Sequence, residues 1–491
     1  MKIFSADQIR AWDAYTISHE PISSLDLMER AATALTDWLL RTGLARRDGH
    51  ILCGMGNNGG DGLVVARLLH QAGYPCHVWI VRHAEKASAD FEANLARYRH
   101  LAGVTWVEEA MEIPSDTLVI DALLGSGLNR CAAGPLAEVI RAVNASGSTV
   151  VSIDIASGLF ADRPNQPDDA IIEPAYTVGF QVPKPAFLQP GNARFVGRWQ
   201  VLDIGLDRRY EKQTPASRYF TDSQSLPSLR NRAVFANKGN FGHALLIAGS
   251  YGKVGAAVLA SRACLRSGVG LLTVHVPECG YSVLQTAVPE AMCLADEHPK
   301  MITGVPDLSS YTAIGVGPGL GKAQETVRML DELLLKLGGK PAVFDADALN
   351  ILADNPEWLT RLPKNSILTP HPKEFTRLLG RTWADDYEKL DLLRAFCKRY
   401  SVVTVLKGQH TIVATPEGEL HFNSTGNPGM ATGGTGDVLT GILTALLAQG
   451  PPPADAAILG VYRHGEAGDR AAARKGEPAL IAGDLPEFLH W

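Results

Sequence analysis

The stretch HILCGMGNNGGDGLVVARLLH, residues 50–70, decides the fold class. It opens with a short apolar run and passes through a turn holding five glycines between 54 and 62. It continues with the apolar period of a helix, which runs on to residue 72. That order delivers a buried strand straight into a helix N-terminus. The same grammar recurs at HVWIVRH (77–83), TLVIDALLG (117–125) and TVVSIDIASG (149–158), with a helical pattern such as 134–145 between runs. It restarts at HALLIAGS (243–250) and continues through TAIGVGPG (312–319), AVFDADA (342–348), SILTPHP (366–372) and VVTVLKG (402–408). Apolar runs of this length alternating with helices predict parallel strands in βαβ units. The chain is therefore expected to be α/β, with two layered αβα domains.

The seam is expected in the polar segment DRRYEKQTPASRYFTDSQSLPSLRNR (207–232), which has no sustained apolar period. It follows the strand-like RWQVLDIG (198–205). The reading assigns residues 1–212 to the first domain, 213–228 to a linker and 229–491 to the second. One amphipathic helix is expected from about Ser5 to Leu40, starting at a Ser-Ala-Asp-Gln cap signal and serving packing or oligomer contact. The protein is expected to be a homo-oligomer. A net charge of -6 gives no electrostatic reason for a nucleic-acid partner. The seven cysteines form no CxxC pair, so neither a disulfide framework nor a zinc site fits their spacing. No apolar run is long enough to span a bilayer and the N-terminus lacks an apolar signal region. The expectation is a cytoplasmic protein without a membrane partner.

In GMGNNGGDG (54–62), Gly54, Gly56 and Gly59 satisfy the GxGxxG spacing of Rossmann-like folds. Glycines let the backbone approach an anion, and the helix N-terminus supplies free N–H donors. The acidic residue expected at the end of the second strand is absent; Arg82 and His83 stand there instead. An ordinary dinucleotide-binding dehydrogenase is thereby disfavoured. Asp121 and Asp154 each end a predicted strand, where open α/β sheets bind ligands, and each precedes a Gly/Ser turn. Either could simply cap a helix. Together with Asn57, Asn58, Asp61 and Ser157 they form an oxygen-rich set that suits a hard cation rather than zinc.

GNNGGDG, DALLGSGLNR, IDIASGL and TVGFQVPKPAF (177–187) closely resemble the NAD(P)H-hydrate epimerase family over about the first 210 residues. The resemblance implies a hydrate site lined by Asn57, Asn58, Gly59, Gly60 and Asp61, by Gly125, Ser126, Gly127, Leu128, Asn129, Arg130 and Cys131, and by Asp154. It also implies a potassium ion held by Asn58, Asp121 and Ser157. Met55 and Ala156 depart from the family's usual Asn and Pro. Epimerising C6 of a hydrated nicotinamide needs proton transfer and transient loss of the hydroxyl, and a carboxylate near the ring can act as general base and stabilise the developing positive charge. Asp154 is the expected catalytic carboxylate and Asp121 the cation's partner, although their order could be reversed.

NPGMATGGTGDVLTGIL (427–443) carries the second site. GGTGD opens a helix, so the amides from Gly433 to Gly436 point toward an anion, and Asp437 lies in the first turn where it can deprotonate a hydroxyl attacking a phosphoryl group. A first-turn acid favoured by the helix dipole is the plainer reading, and the glycine cluster argues against it. No GxxxxGK[ST] run occurs. This constellation resembles the ribokinase-like fold, in which the corresponding Asp is the catalytic base. KGNFGHALLIAGS (238–250), GVGPGLG (315–321), DADALN (345–350), TPHPKEF (369–375) and LKGQHT (406–411) narrow the resemblance to the ADP/ATP-dependent NAD(P)H-hydrate dehydratases. By that resemblance Ala256, Gly319, His371 and Asp437 would touch the hydrate. Lys407, Gly408, Gln409, His410, Thr411 and Gly436 would hold ADP or ATP, which brings Mg²⁺. Asp345 and Asp347 could cap the next helix or help organise that ion.

The implied function is repair of hydrated NADH and NADPH: interconversion of the R and S hydrates, then dehydration of the S form by phosphorylating and expelling the C6 hydroxyl. The alternatives are a ribokinase-like small-molecule kinase with a regulatory N-terminal half, and a non-catalytic N-terminal ligand-binding or scaffold module.

Overall fold

A computed structural model describes residues 1–108, 111–229 and 231–491. The chain divides into two compact units. One holds residues 2–216 with 385–387; the other holds Met1, 217–384 and 388–491.

The first unit is built on seven strands: β1 (Gly49–Cys53), β2 (Cys76–Val81), β3 (Thr105–Val107), β4 (Leu118–Ala122), β5 (Thr149–Ile153), β6 (Tyr176–Phe180) and β7 (Arg198–Leu202). All pair in parallel, in the order β3-β2-β1-β4-β5-β6-β7. Side chains alternate across each strand. Ile51 and Cys53 therefore join a core with Leu35, Trp38 and Leu63, while Leu52 joins another with Val139, Ile140 and Phe187. Burial on both faces is what leaves β1 and β4 without an alternating solvent face.

Two expectations about this unit's ends change. The helix expected from Ser5 to Leu40 is two helices, Ala6–His19 and Ser24–Thr42. Pro21 disfavours helical backbone at Glu20, which is extended, and Ser23 caps the second helix through the amide of Asp26. The segment 213–228, expected to be a linker, contains strand β8 (Arg218–Thr221). Its partner lies some two hundred residues further on, so no local pattern announces it, and the division falls between Ala216 and Ser217.

The second unit adds β9 (His243–Ile247), β10 (Leu271–Val276), β11 (Met292–Ala295), β12 (Ala313–Val316), β13 (Ala342–Phe344), β14 (Ile367–Leu368), β15 (Val403–Leu406), β16 (Ile412–Ala414) and β17 (Leu420–Asn423). The order is β11-β10-β9-β12-β13-β14-β15-β16-β17-β8, with β16 antiparallel to both neighbours and every other pairing parallel. In each sheet the strand order reverses, at β1/β4 and at β9/β12. Open sheets bind ligands at such crevices, beyond the carboxyl ends of the strands.

Candidate functional site

At the β1/β4 switch point the glycine turn packs tightly. A Cβ on Gly59 would stand 1.9 Å from the Gly54 carbonyl oxygen, so only glycine lets the helix Asn57–Gln71 start against the strand end. Gly56 caps that helix without a side-chain bond, leaving its first amides for a ligand. A cleft of about 980 Å³ opens there, lined by Asn57, Asn58, Asp61, residues 125–131 and Asp154. Gly59 and Gly60 do not line it. Gly59 faces the Gly54 carbonyl and Gly60 faces the sulfur of Met28, so neither position has room for a side chain.

Asp121, Ser157 and Asn58 converge on the turn after β4. Asp121 is fully buried and accepts from Ser152 Oγ at 2.7 Å, from the Ser157 amide at 2.9 Å, from the Leu123 amide at 3.2 Å and from Ser157 Oγ. Asn58 Nδ2 donates to the Leu124 carbonyl at 3.0 Å, and the Leu124 amide donates to Ser157 Oγ at 2.8 Å. Burial pushes the Asp121 carboxyl up against those hydrogen bonds. Asp121 and Ser157 therefore lie beneath the cleft, not in it.

Asp154 faces the cleft from a strained backbone, with φ of 67°. It is ion-paired with Lys184, whose side chain is 1% exposed, and accepts from the Ser126 amide at 3.3 Å. Burial raises its carboxyl, but Lys184 and the Ser126 bonds outweigh burial and hold it below the ordinary carboxylate value. Sequence reasoning missed Lys184, which lies inside TVGFQVPKPAF with no local signal of an ion-pair role.

It missed Asp13 altogether. The helix Ala6–His19, expected to serve packing, lines the cleft with Ile9, Arg10, Asp13 and Ala14. Burial and then Asp154 push the Asp13 carboxyl up to about 7, with Lys184 opposing. Asp61 is raised well above its ordinary value by burial and by Asp154, Asp13 and Asp90. Nothing in the pattern of residues 5–19 distinguishes Asp13 from a solvated helix acid.

In the second unit the helix Thr435–Ala448 starts at Gly434, whose φ of 96° is left-handed. A Cβ on Gly436 would meet Lys407 Nζ at 3.5 Å and Asp345 Oδ2 at 3.9 Å, so both lie against the helix N-terminus. Asp437 stands in that first turn, its carboxyl pushed up to about 6 by burial and by Asp345, with Lys407 opposing. Gly319, with φ of 65°, would bring a Cβ to 3.1 Å from the Ala256 Cβ, so those two expected contacts are brought together.

Lys407 is tied into a network. It lies 3.0 Å from Asp345 Oδ1 and 3.8 Å from Glu374 Oε2, and Thr440 Oγ1 donates to Asp345 Oδ2 at 2.7 Å. Asp345 makes no side-chain cap; its two oxygens go to Lys407 and Thr440. Asp347 accepts from the Gly321 amide at 2.7 Å and approaches Lys253. His371 caps the helix Pro372–Leu379, its Nδ1 accepting from the Glu374 amide while Glu374 accepts from the His371 amide. Of the expected nucleotide loop, Gly408 and Gln409 are exposed and Thr411 closes a turn onto Gly408. His410 instead turns to the sheet, with Nδ1 3.0 Å from the Asn423 carbonyl. Sequence reasoning overlooked Glu374, Thr440 and His464, whose buried ring meets the Thr435 carbonyl at 2.9 Å.

A doubly wound unit with a carboxylate-lined cleft and a second α/β unit with a glycine-cradled aspartate define a two-site α/β enzyme. The family described as NAD(P)H-hydrate dehydratase matches residues 244–489, and the one described as YjeF-related protein N-terminus matches residues 24–186. A bifunctional NAD(P)H-hydrate repair enzyme from Moorella thermoacetica is 36% identical, over 100% of this chain and 96% of its own. Its counterpart from Escherichia coli is 35% identical, over 98% and 92%. A solved ADP/ATP-dependent NAD(P)H-hydrate dehydratase from Bacillus subtilis, co-crystallised with ATP and Mg²⁺, is 31% identical over 53% of this chain and 92% of its own, with a TM-score of 0.46. The chain belongs to the bifunctional NAD(P)H-hydrate repair enzymes, with an epimerase domain first and an ADP/ATP-dependent dehydratase domain second. That membership displaces the small-molecule kinase alternative. Among the described residues no helix is long and apolar enough to cross a membrane.

Proposed function

We propose that Asp437 is the base of the dehydratase and Asp154 the charge-stabilising carboxylate of the epimerase. The observation that carries the first assignment is the Asp437 carboxyl, raised to about 6, in the first turn of a glycine-opened helix beside Lys407. Asp437 takes the proton of the C6 hydroxyl as that oxygen attacks the terminal phosphoryl group of ADP or ATP. The Gly433–Gly436 amides receive the phosphate charge. The ring nitrogen lone pair then expels phosphate, and loss of a C5 proton gives NAD(P)H, phosphate and the shortened nucleotide. Ala256, Gly319 and His371 border the hydrate, and Lys407, Gly408, Gln409 and Thr411 with Gly436 hold the nucleotide. Asp345 is already committed to Lys407 and Thr440, which suits a Mg²⁺ held chiefly by the nucleotide's phosphates.

In the epimerase, loss of the C6 hydroxyl leaves a cationic iminium. Asp154, kept ionised by Lys184, balances that charge. A potassium ion fits beneath the cleft. Asn58 Oδ1, Asp121, Ser157 Oγ and the Leu124 carbonyl are hard oxygens around one turn. Asp121 is moreover a buried carboxylate whose partners are hydroxyls and amides rather than a cation. Such an ion would neutralise Asp121 and fix the turn. The test is chromatographic: Asp154→Asn should stop R-to-S interconversion while S-hydrate dehydration continues, and Asp437→Asn should do the reverse. Loss of both activities, or of neither, in either variant overturns the assignment.

A further inference from the structure

We propose that Asp13, on the helix Ala6–His19, is the catalytic acid and base that delivers and recovers the proton at the C6 oxygen during epimerisation. This rests on the Asp154 reading and supplies the step that Asp154 leaves open. Inverting C6 breaks its C–O bond and reforms it on the other face. The leaving oxygen needs a proton, and the incoming water must lose one.

The groups lining the cleft narrow the choice. Asp154 is held ionised by Lys184 and has no proton to give. Asp121 lies beneath the cleft with its oxygens already bonded. His83 Nε2 already accepts from the Met55 amide at 3.0 Å. Cys131 is exposed and its thiol is turned to Asp169. Asp13 and Asp61 remain, and neither side chain has a hydrogen-bond or ion-pair partner among the described residues.

Asp13 enters on an element fixed from several sides. Ser5 and Gln8 form its capping box, and the Ala6 amide donates to Asp162 at 2.8 Å. The buried Trp12 donates to the Asp207 carbonyl at 2.8 Å, and Thr16 accepts from the Asp207 amide at 3.1 Å. Arg10 reaches the loop 125–131, with Nη2 3.2 Å from where a Gly127 Cβ would stand. These contacts set the helix register that presents Asp13 to the cleft, which is the preorganisation proton transfer requires. The charged groups around it are Asp154, Asp61 and Lys184, with Arg10 one turn earlier on its own helix. Burial and Asp154 raise its carboxyl to about 7, so both protonation states are populated near neutrality, as a group that gives and then takes a proton needs. Burial with Asp154, Asp13 and Asp90 raises the Asp61 carboxyl as well, and the Asp61→Asn variant below separates the two candidates.

The step balances without an oxidant. The Asp13 carboxyl protonates the C6 hydroxyl, the C6–O bond breaks, water leaves, and the ring nitrogen lone pair forms the iminium beside Asp154. Water then adds to the opposite face, and the Asp13 carboxylate takes back one proton directly or through a water.

The experiment uses the full chain and purified R hydrate. Asp13→Asn should lower kcat for interconversion by about 10²–10⁴-fold with KM little changed. Dehydration of the S hydrate should stay within threefold, and Asp13→Glu should recover part of the lost rate. The wild-type rate should fall as pH rises through about 7, and Asp13→Glu should move that limb. Interconversion within threefold of wild type in Asp13→Asn, an unmoved limb in Asp13→Glu, or loss confined to Asp61→Asn overturns the proposal. Should Asp13→Asn misfold, the limb in wild type and Asp13→Glu decides alone. If Asp154→Asn loses activity while Asp13→Asn keeps it, only this inference falls; if both keep it, the Asp154 reading falls too.

Discussion

The two sheets share one plan through their first seven parallel strands, β3-β2-β1-β4-β5-β6-β7 and β11-β10-β9-β12-β13-β14-β15, and both open a crevice at the reversal. Their chemistry is opposite. The first crevice gathers Asp13, Asp61 and Asp154 with Lys184 beneath and Arg10 and Arg130 on its wall, and Asp154 is the carboxylate held ionised to face a developing cation. The second sets Asp437 at a helix N-terminus beside Lys407, which Asp345 and Glu374 hold in place, an arrangement that suits a transferring phosphoryl group. Topology thus settles where a ligand goes, and the side chains on the following turns settle which charge it can develop.

The sharpest way to break this contrast is Asp437→Asn. It should lower dehydration by about 10²–10⁴-fold and leave hydrate interconversion unaltered, measured by separate chromatographic assays of the two steps. Next is Lys184→Met, which strands Asp154 as a buried carboxylate. Breaking a buried pair from one side costs about 3–5 kcal/mol, so the denaturation midpoint of the first unit should drop while that of the second holds. An unshifted midpoint would show that the pair is solvated.

A smaller effect separates the two sites by pH. Asp437 must be ionised to act as base, so dehydration should fade as pH falls through about 6, tenfold for each unit below that value. Interconversion should persist there, because Asp13 is then protonated and Asp154 still ionised. Parallel losses in both activities would instead indicate acid unfolding. The smallest effect is Ser5→Ala, which removes the cap of the cleft-lining helix and should cost about 1 kcal/mol, with a slight fall in interconversion only.

Much of the scaffold was legible because buried parallel strands announce themselves as apolar runs. The runs at 117–125, 243–250 and 312–319 contain β4, β9 and β12, and the run at 50–56 covers all of β1 but its first residue. Edge elements were not legible. Strand β8 is RYFT in polar surroundings, and only its pairing with β17 makes it a strand. The site divides in the same way. Glycine turns and strand-end aspartates are local signals, so Asn58, Asp154, Gly436 and Asp437 could be found by pattern. Asp13 and Lys184 sit in unmarked stretches and matter only through what the fold sets beside them.

The sequence by itself determined the α/β class, the two sites and the residue types facing each ligand, because strand burial, helix-opening glycines and first-turn acids follow from neighbours in the chain. Only the tertiary structure decided which carboxylates carry protons. Asp121 was withdrawn by four hydrogen bonds, Asp154 was fixed as an anion by Lys184, and Asp13 was raised toward neutrality by burial beside Asp154. A protonation state depends on charge and solvent exposure across the whole cleft, and residues 13, 154 and 184 meet only when the chain is folded.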